Sequence, residues 1–188
     1  MSEDEMPSEV SRDATDDAID RMTRRVLWSL PTGLYLAGGG DPRVAPTNAN
    51  VMTVNLVCQV ATTPRILAVS CEQTSVTLGF IRASNQLSLS ILDREDRAVV
   101  RKFVKPVIDG LVMDGDQPTM AGQFVDVGET GLPRLRNSVS WIEASVVAIY
   151  EFDSHALVLA EVDRVGERSD ASEAQVLRME DTRMNYGG

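Results

Sequence analysis

Residues 50–92 read NVMTVNLVCQVATTPRILAVSCEQTSVTLGFIRASNQLSLSIL, and their order of strand, strand, short helix and strand narrows the folds open to this chain more than any other stretch. Residues 51–60 are rich in β-branched side chains, and residues 65–72 (RILAVSCE) form a nearly continuous apolar run, typical of a strand covered on both faces. Pro64 marks the turn between them. Ser75 is placed to cap a short helix whose apolar positions are Leu78, Phe80 and Ile81. Residues 85–92 then alternate Leu87, Leu89 and Ile91 with Ser88 and Ser90, the pattern of a half-buried strand. Four small hydroxyl residues, Thr53, Ser70, Ser75 and Thr77, fall where strands end and the helix begins. Free backbone N–H groups and the helix dipole converge at such a place, which suits an anion.

The flanking sequence adds more strands than helices. Thr15 or Asp16 caps an N-terminal helix with acidic residues at its start and Arg24 and Arg25 near its end; its apolar face of Ile19, Met22, Val26, Leu27 and Leu30 predicts packing on a barrel, and Pro31 stops it. Residues 32–38 read as a strand, and Gly38-Gly39-Gly40-Asp41-Pro42 as the hairpin turn after it. No helix opens behind that glycine triplet, so the dinucleotide fingerprint is not met. Helical spacing returns over residues 93–104, with Val99, Val100 and Phe103 on one face. Residues 105–138 are the least regular, with a short strand expected at 123–127; a loop region of this length in a compact domain points to function or to a subunit contact. Ile142, Ala144, Val146, Ala148 and Tyr150 then alternate along a long strand, residues 156–162 return antiparallel, and residues 173–179 suggest a short C-terminal helix. Many short strands with few helices predict a mainly β protein, a closed or nearly closed barrel with flanking helices.

Composition removes several functions. Residues 1–20 carry eight acidic side chains and one basic one, so they hold −7 of the net charge of −10, and the remainder is nearly balanced. That balance argues against a nucleic-acid footprint. Residues 1–14 have too little apolar surface to offset ordering and are expected to be a disordered tail. The absence of a long apolar run and of a signal peptide's apolar core predicts a cytoplasmic protein with no membrane segment. Cys58 and Cys71 lie on neighbouring expected strands without C-x-x-C spacing, which favours buried free thiols. With one histidine a His-rich zinc site is excluded by counting, and no G-x-S-x-G elbow places a nucleophilic serine. The lack of an acid–base constellation fits an enzyme whose chemistry resides in a cofactor.

The strand carrying Asn50-Val51-Met52-Thr53, the Pro64 turn, the Ser75-x-Thr77 helix start and Gly131-Leu132-Pro133 together resemble the flavin reductase family of FMN-binding split barrels, over about residues 25–164. The resemblance implies a split-barrel domain over residues 15–168 with a C-terminal extension at 169–188. It implies that Asn50, Met52, Thr53, Val54 and Asn55 line the flavin ring, that Ser70 and Cys71 lie beside the ribityl chain, and that Ser75 and Thr77 contact the phosphate. His155 stands where the family has a histidine near the flavin or incoming nicotinamide, although Asp153 and Ser154 replace the Gly-Asp that commonly precedes it. The implied activity is a homodimeric NAD(P)H:flavin oxidoreductase using FMN, with FAD also open, that supplies reduced flavin to a partner monooxygenase. Two other readings stay open: a flavoredoxin-like electron carrier, and a split-barrel binding module without reductase activity.

Overall fold

The computed structural model describes residues 10–182 and Met184, with side chains from Asp16 onward. Residues 1–9 of the expected acidic tail lie outside the described residues. Helix α1 (Val10–Leu27) begins earlier than the capping pattern at Thr15 and Asp16 implies. It does not pack on the barrel as its apolar stripe predicts: every side chain from residue 16 to 31 is exposed. Ile19, Met22, Val26, Leu27, Trp28 and Leu30 range from 46% to 62% exposed.

The barrel is one antiparallel sheet of seven strands: β1 (Tyr35–Gly40), β2 (Ala49–Val54), β3 (Val57–Thr62), β4 (Arg65–Glu72), β5 (Gln86–Ile91), β10 (Ser140–Glu151) and β11 (His155–Glu167). They are ordered β2-β1-β5-β10-β11-β4-β3. Residues 51–60 are therefore two strands, broken at Asn55 and Leu56. Because β2 and β3 occupy opposite edges of the sheet yet are joined by two residues, the sheet must curl until its edges come close. They do not pair, and the result is a split barrel. Helix α2 (Val76–Ser84) links β4 to β5 and lies against β1. Among the described residues, no helix is long and apolar enough to cross a membrane.

A second sheet comes from the stretch expected to be mostly loop. Strands β6 (Val112–Asp114), β7 (Gln117–Met120), β8 (Gln123–Val127) and β9 (Pro133–Leu135) form an antiparallel meander. The expected strand at 123–127 is β8; its three partners are too short to show a period. The helix expected at 93–104 forms two 3-10 turns, Arg94–Asp96 and Val99–Phe103, although Val99, Val100 and Phe103 are buried together as their spacing implies. No helix forms at 173–179. That segment is held by bridges pairing Gly33 with Arg178 and Asp93 with Val176, and only a 3-10 turn, Met179–Asp181, follows.

Two apolar clusters result. One fills the barrel, with Val54, Val69, Leu87, Leu89 and Val158. The other, with Leu34, Leu36, Val51, Leu92, Phe103, Met120 and Leu177, lies between the outer face of β1 and β2 and the small sheet. Strand β5 is thus covered on both faces. Ser88 and Ser90 are buried, with Ser88 Oγ donating to the Pro133 carbonyl at 2.6 Å and Ser90 Oγ accepting from Leu135 N–H at 2.9 Å. The glycine triplet is the end of β1 rather than a turn. A side chain at Gly38 would strike Pro133 and Ser88, and one at Gly39 would meet Ile81 and the Thr77 carbonyl of α2. Only Gly40, at φ +83°, has the left-handed backbone that starts the turn.

The two cysteines differ. Cys71 is fully buried in the barrel and burial pushes its thiol up to about 12, against a smaller opposing effect of Arg82; Cys58 is exposed on β3, contrary to the expectation that both thiols are buried. Both are free.

Candidate functional site

Close approach of α2 to Gly39 places the start of that helix at the open side of the barrel, beside the end of β2. Ser75 adopts extended backbone and its Oγ accepts from Leu78 N–H at 3.2 Å, so it is the helix cap the sequence predicts. The N–H groups of Val76 and Thr77 fall in the first turn, where a helix has no partners of its own. The turn before the cap is fastened to the β10–β11 hairpin. Gln73 donates to Glu151 and, at 3.0 Å, to the Phe152 carbonyl, while Arg82 reaches Gln73 Oε1 at 2.7 Å and Glu151 at 2.8 Å. The Gln73 hydrogen bond, followed by Arg82, holds the Glu151 carboxyl below its ordinary range.

A cavity of about 290 Å³ opens at this helix start. Seven of the nine cofactor-binding residues expected from the sequence line it: Asn50, Met52, Thr53, Val54, Asn55, Ser75 and Thr77. Ser70 and Cys71 do not. Cys71 faces the barrel core opposite Ala156, and Ser70 is held in β4 with its N–H donated to the Leu56 carbonyl at 3.0 Å. Two lining side chains spend their polar atoms on the scaffold. Asn50 Nδ2 donates to the Val107 carbonyl at 3.0 Å and its Oδ1 accepts from Val107 N–H at 3.3 Å, which pins the loop carrying Lys105 and Pro106 over the cavity. Thr53 Oγ1 donates to the Val100 carbonyl at 2.7 Å, tying β2 to the 3-10 turn that supplies Phe103.

Sequence reasoning missed Leu34, Glu72, Phe103, Lys105 and Met184, which also line the cavity. Phe103 belonged to a recognised apolar face, but nothing local to Lys105 or Met184 reveals that they reach a site assembled by β2 and α2. His155 does not line the cavity. It opens β11 directly across from Glu72, which does, and its Nδ1 lies 2.9 Å from Ser154 Oγ.

The lining is polarised. Helix N–H groups, the Ser75 and Thr77 hydroxyls and the Lys105 cation supply donors for an anion, while Leu34, Met52, Val54, Phe103 and Met184 supply apolar walls for a ring. A phosphorylated ring cofactor needs both, so the residues present fit a flavin nucleotide.

The sequence matches the flavin reductase like domain over residues 27–187. An NADH-dependent FAD reductase from Streptomyces globisporus is 26% identical over 154 residues, covering 78% of this chain and 76% of that protein. Among solved structures, the Streptomyces globisporus C-1027 NADH:FAD oxidoreductase SgcE6 superposes with a TM-score of 0.69 at 18% identity, covering 100% of both chains. BorF, the flavin reductase component of a bacterial two-component tryptophan halogenase, does so with a TM-score of 0.67 at 17% identity, covering 84% of this chain and 98% of that one. These two structures share the fold described above, and with the sequence match over residues 27–187 they lead to one conclusion: the chain belongs to the flavin reductase like domain family.

Proposed function

We propose that the protein is an NAD(P)H-dependent flavin reductase that binds FMN and passes reduced flavin to a partner monooxygenase. The observation that carries this reading is the convergence, on one cavity, of the α2 N-terminus with Ser75 and Thr77 at one part and apolar walls at another. Bound flavin supplies hydride acceptance through its own ring chemistry. The chain binds and orients: the α2 N–H groups, Ser75, Thr77 and Lys105 hold the phosphate, backbone groups from Met52 to Asn55, at and just past the end of β2, edge the ring, and Asn50 keeps the Lys105 loop in place. The S. globisporus relative, an NADH-dependent FAD reductase, supports a nicotinamide donor, and BorF, a component of a two-component halogenase, supports a partner enzyme that consumes the reduced flavin.

His155 is the residue we assign to ordering the nicotinamide, since β11 sets it across from the cavity residue Glu72. His155→Ala is expected to slow anaerobic flavin reduction about tenfold, equivalent to about 1.4 kcal/mol, with the FMN dissociation constant nearly unchanged. Stopped-flow reduction with NADH and with NADPH reads this out. A variant that melts earlier but is reduced at the wild-type rate at saturating FMN makes His155 structural, and a wild-type protein that neither nicotinamide reduces is a carrier rather than a reductase.

The exposed apolar face of α1 supports self-association, because a stripe with Ile19, Met22, Val26 and Leu30 in water needs a covering surface. A second copy of this chain, related by a two-fold axis, is the partner we assign to it. Sedimentation velocity at micromolar concentration is expected to show a dimer that Met22→Glu with Val26→Glu dissociates; a wild-type monomer sinks the assignment.

A further inference from the structure

The C-terminal strap reaches the flavin cavity by a route that the barrel itself does not require. Leu177 is fully buried beside Phe103 in the outer apolar cluster, and backbone bonds fasten the chain on either side of it. Leu177 N–H donates to the Leu92 carbonyl at 2.9 Å, Leu34 N–H to the Leu177 carbonyl at 3.2 Å, and Met179 N–H to the Thr32 carbonyl at 2.9 Å. Arg94 adds an ion pair to the buried Asp181 carboxylate at 2.6 Å. The chain then folds back: Thr182 Oγ1 donates to the Met179 carbonyl at 2.9 Å and accepts Met184 N–H at 3.2 Å. That turn delivers Met184 to the cavity lining, half-buried, next to the cluster that supplies Leu34 and Phe103.

We infer that the strap is a working part of the site and that Met184 is a binding wall against the flavin ring. Polar donors for the phosphate come from α2, whereas Leu34, Phe103 and Met184 all belong to or pack on the outer apolar cluster and offer only hydrocarbon and thioether surface. A soft, unbranched thioether adapts to the face of an aromatic ring and excludes water from it. This inference rests on the flavin reading given above.

Equilibrium binding of FMN and of lumiflavin, which keeps the ring but lacks the ribityl phosphate, to the full chain and to Met184→Ala tests it. Met184→Ala is expected to weaken both ligands by a similar factor, roughly tenfold for loss of a half-buried apolar contact, with the melting temperature near that of wild type. Met184→Trp, which fills the ring space, is expected to weaken both at least as much. Wild-type affinity for both ligands in Met184→Ala overturns the inference, as does a loss confined to FMN, which would put Met184 at the phosphate. In either case wild-type binding of FMN leaves the flavin reading standing; a wild-type protein that binds neither ligand overturns both.

Discussion

Replacing Ser75 and Thr77 together by Ala is expected to weaken FMN binding by roughly two to four orders of magnitude while affecting riboflavin far less, because each hydroxyl donating to a charged phosphate contributes about 1.5–3 kcal/mol. The comparison between the two ligands matters because Ser75 also caps α2. Loss of a cap costs about 0.5–2 kcal/mol of stability, and a loosened helix would harm both ligands alike. Ser75→Gly with Thr77→Ala separates the effects further, since glycine at a cap costs only a few tenths of a kcal/mol while still removing the hydroxyl. Fluorescence titration of each variant with FMN and riboflavin measures the ratio directly. Equal losses for the two ligands would reduce Ser75 and Thr77 to a helix start with no part in anion binding.

The second large effect concerns stability, away from the cavity. Arg134 on β9 and Glu143 on β10 form a buried ion pair, 13% and 2% exposed at their side chains, with Nη1 and Oε1 3.3 Å apart and the guanidinium stacked 3.7 Å over the Trp141 ring. The pair joins the small sheet to the barrel. The contact is poorly aligned for donation, and Arg134 Nε and Glu143 Oε1 lack hydrogen-bond partners among the described residues. Such a pair is costly to break and easy to replace. Arg134→Met leaves an uncompensated buried carboxylate and is expected to cost about 3–5 kcal/mol, a fall of roughly 6–20 °C in melting temperature for a chain of this size. Adding Glu143→Leu is expected to recover most of that loss, because two apolar side chains in place of a buried ion pair are often neutral or stabilising. Thermal melts of the single and double variants decide it. A double variant no more stable than Arg134→Met would mean that the charges themselves, and not their pairing, hold the sheets together.

Where structure is written in local periodicity, the chain discloses it by itself. Strands β4, β5, β10 and β11, the cap at Ser75, helix α2 and the anion-suiting start of that helix all follow from side-chain alternation, β-branching and a hydroxyl before an apolar turn. Seven lining residues were legible for the same reason: they sit on β2, just after it, or at the cap and first turn of α2, elements with their own local signatures. What tertiary structure alone decided is whatever depends on a neighbour distant in sequence. The Gly38-Gly39-Gly40 run looks like a turn, but it is a strand end because β9 and α2 press against it from opposite faces. Ser88 and Ser90 look solvent-facing, but the β9 backbone covers them, its Pro133 carbonyl accepting from Ser88 and its Leu135 N–H donating to Ser90. Residues 173–179 carry a weak helical pattern that loses to the backbone partners offered by Thr32, Leu34 and Leu92, since bonds to a fixed neighbour outweigh a short isolated helix whose nucleation is unfavourable. Lys105 joined the site only because Asn50 pins its loop across 57 residues of chain, and Met184 only because Thr32, Leu34 and Leu92 hold the strap at Leu177 and Met179 before Thr182 turns it toward the cavity.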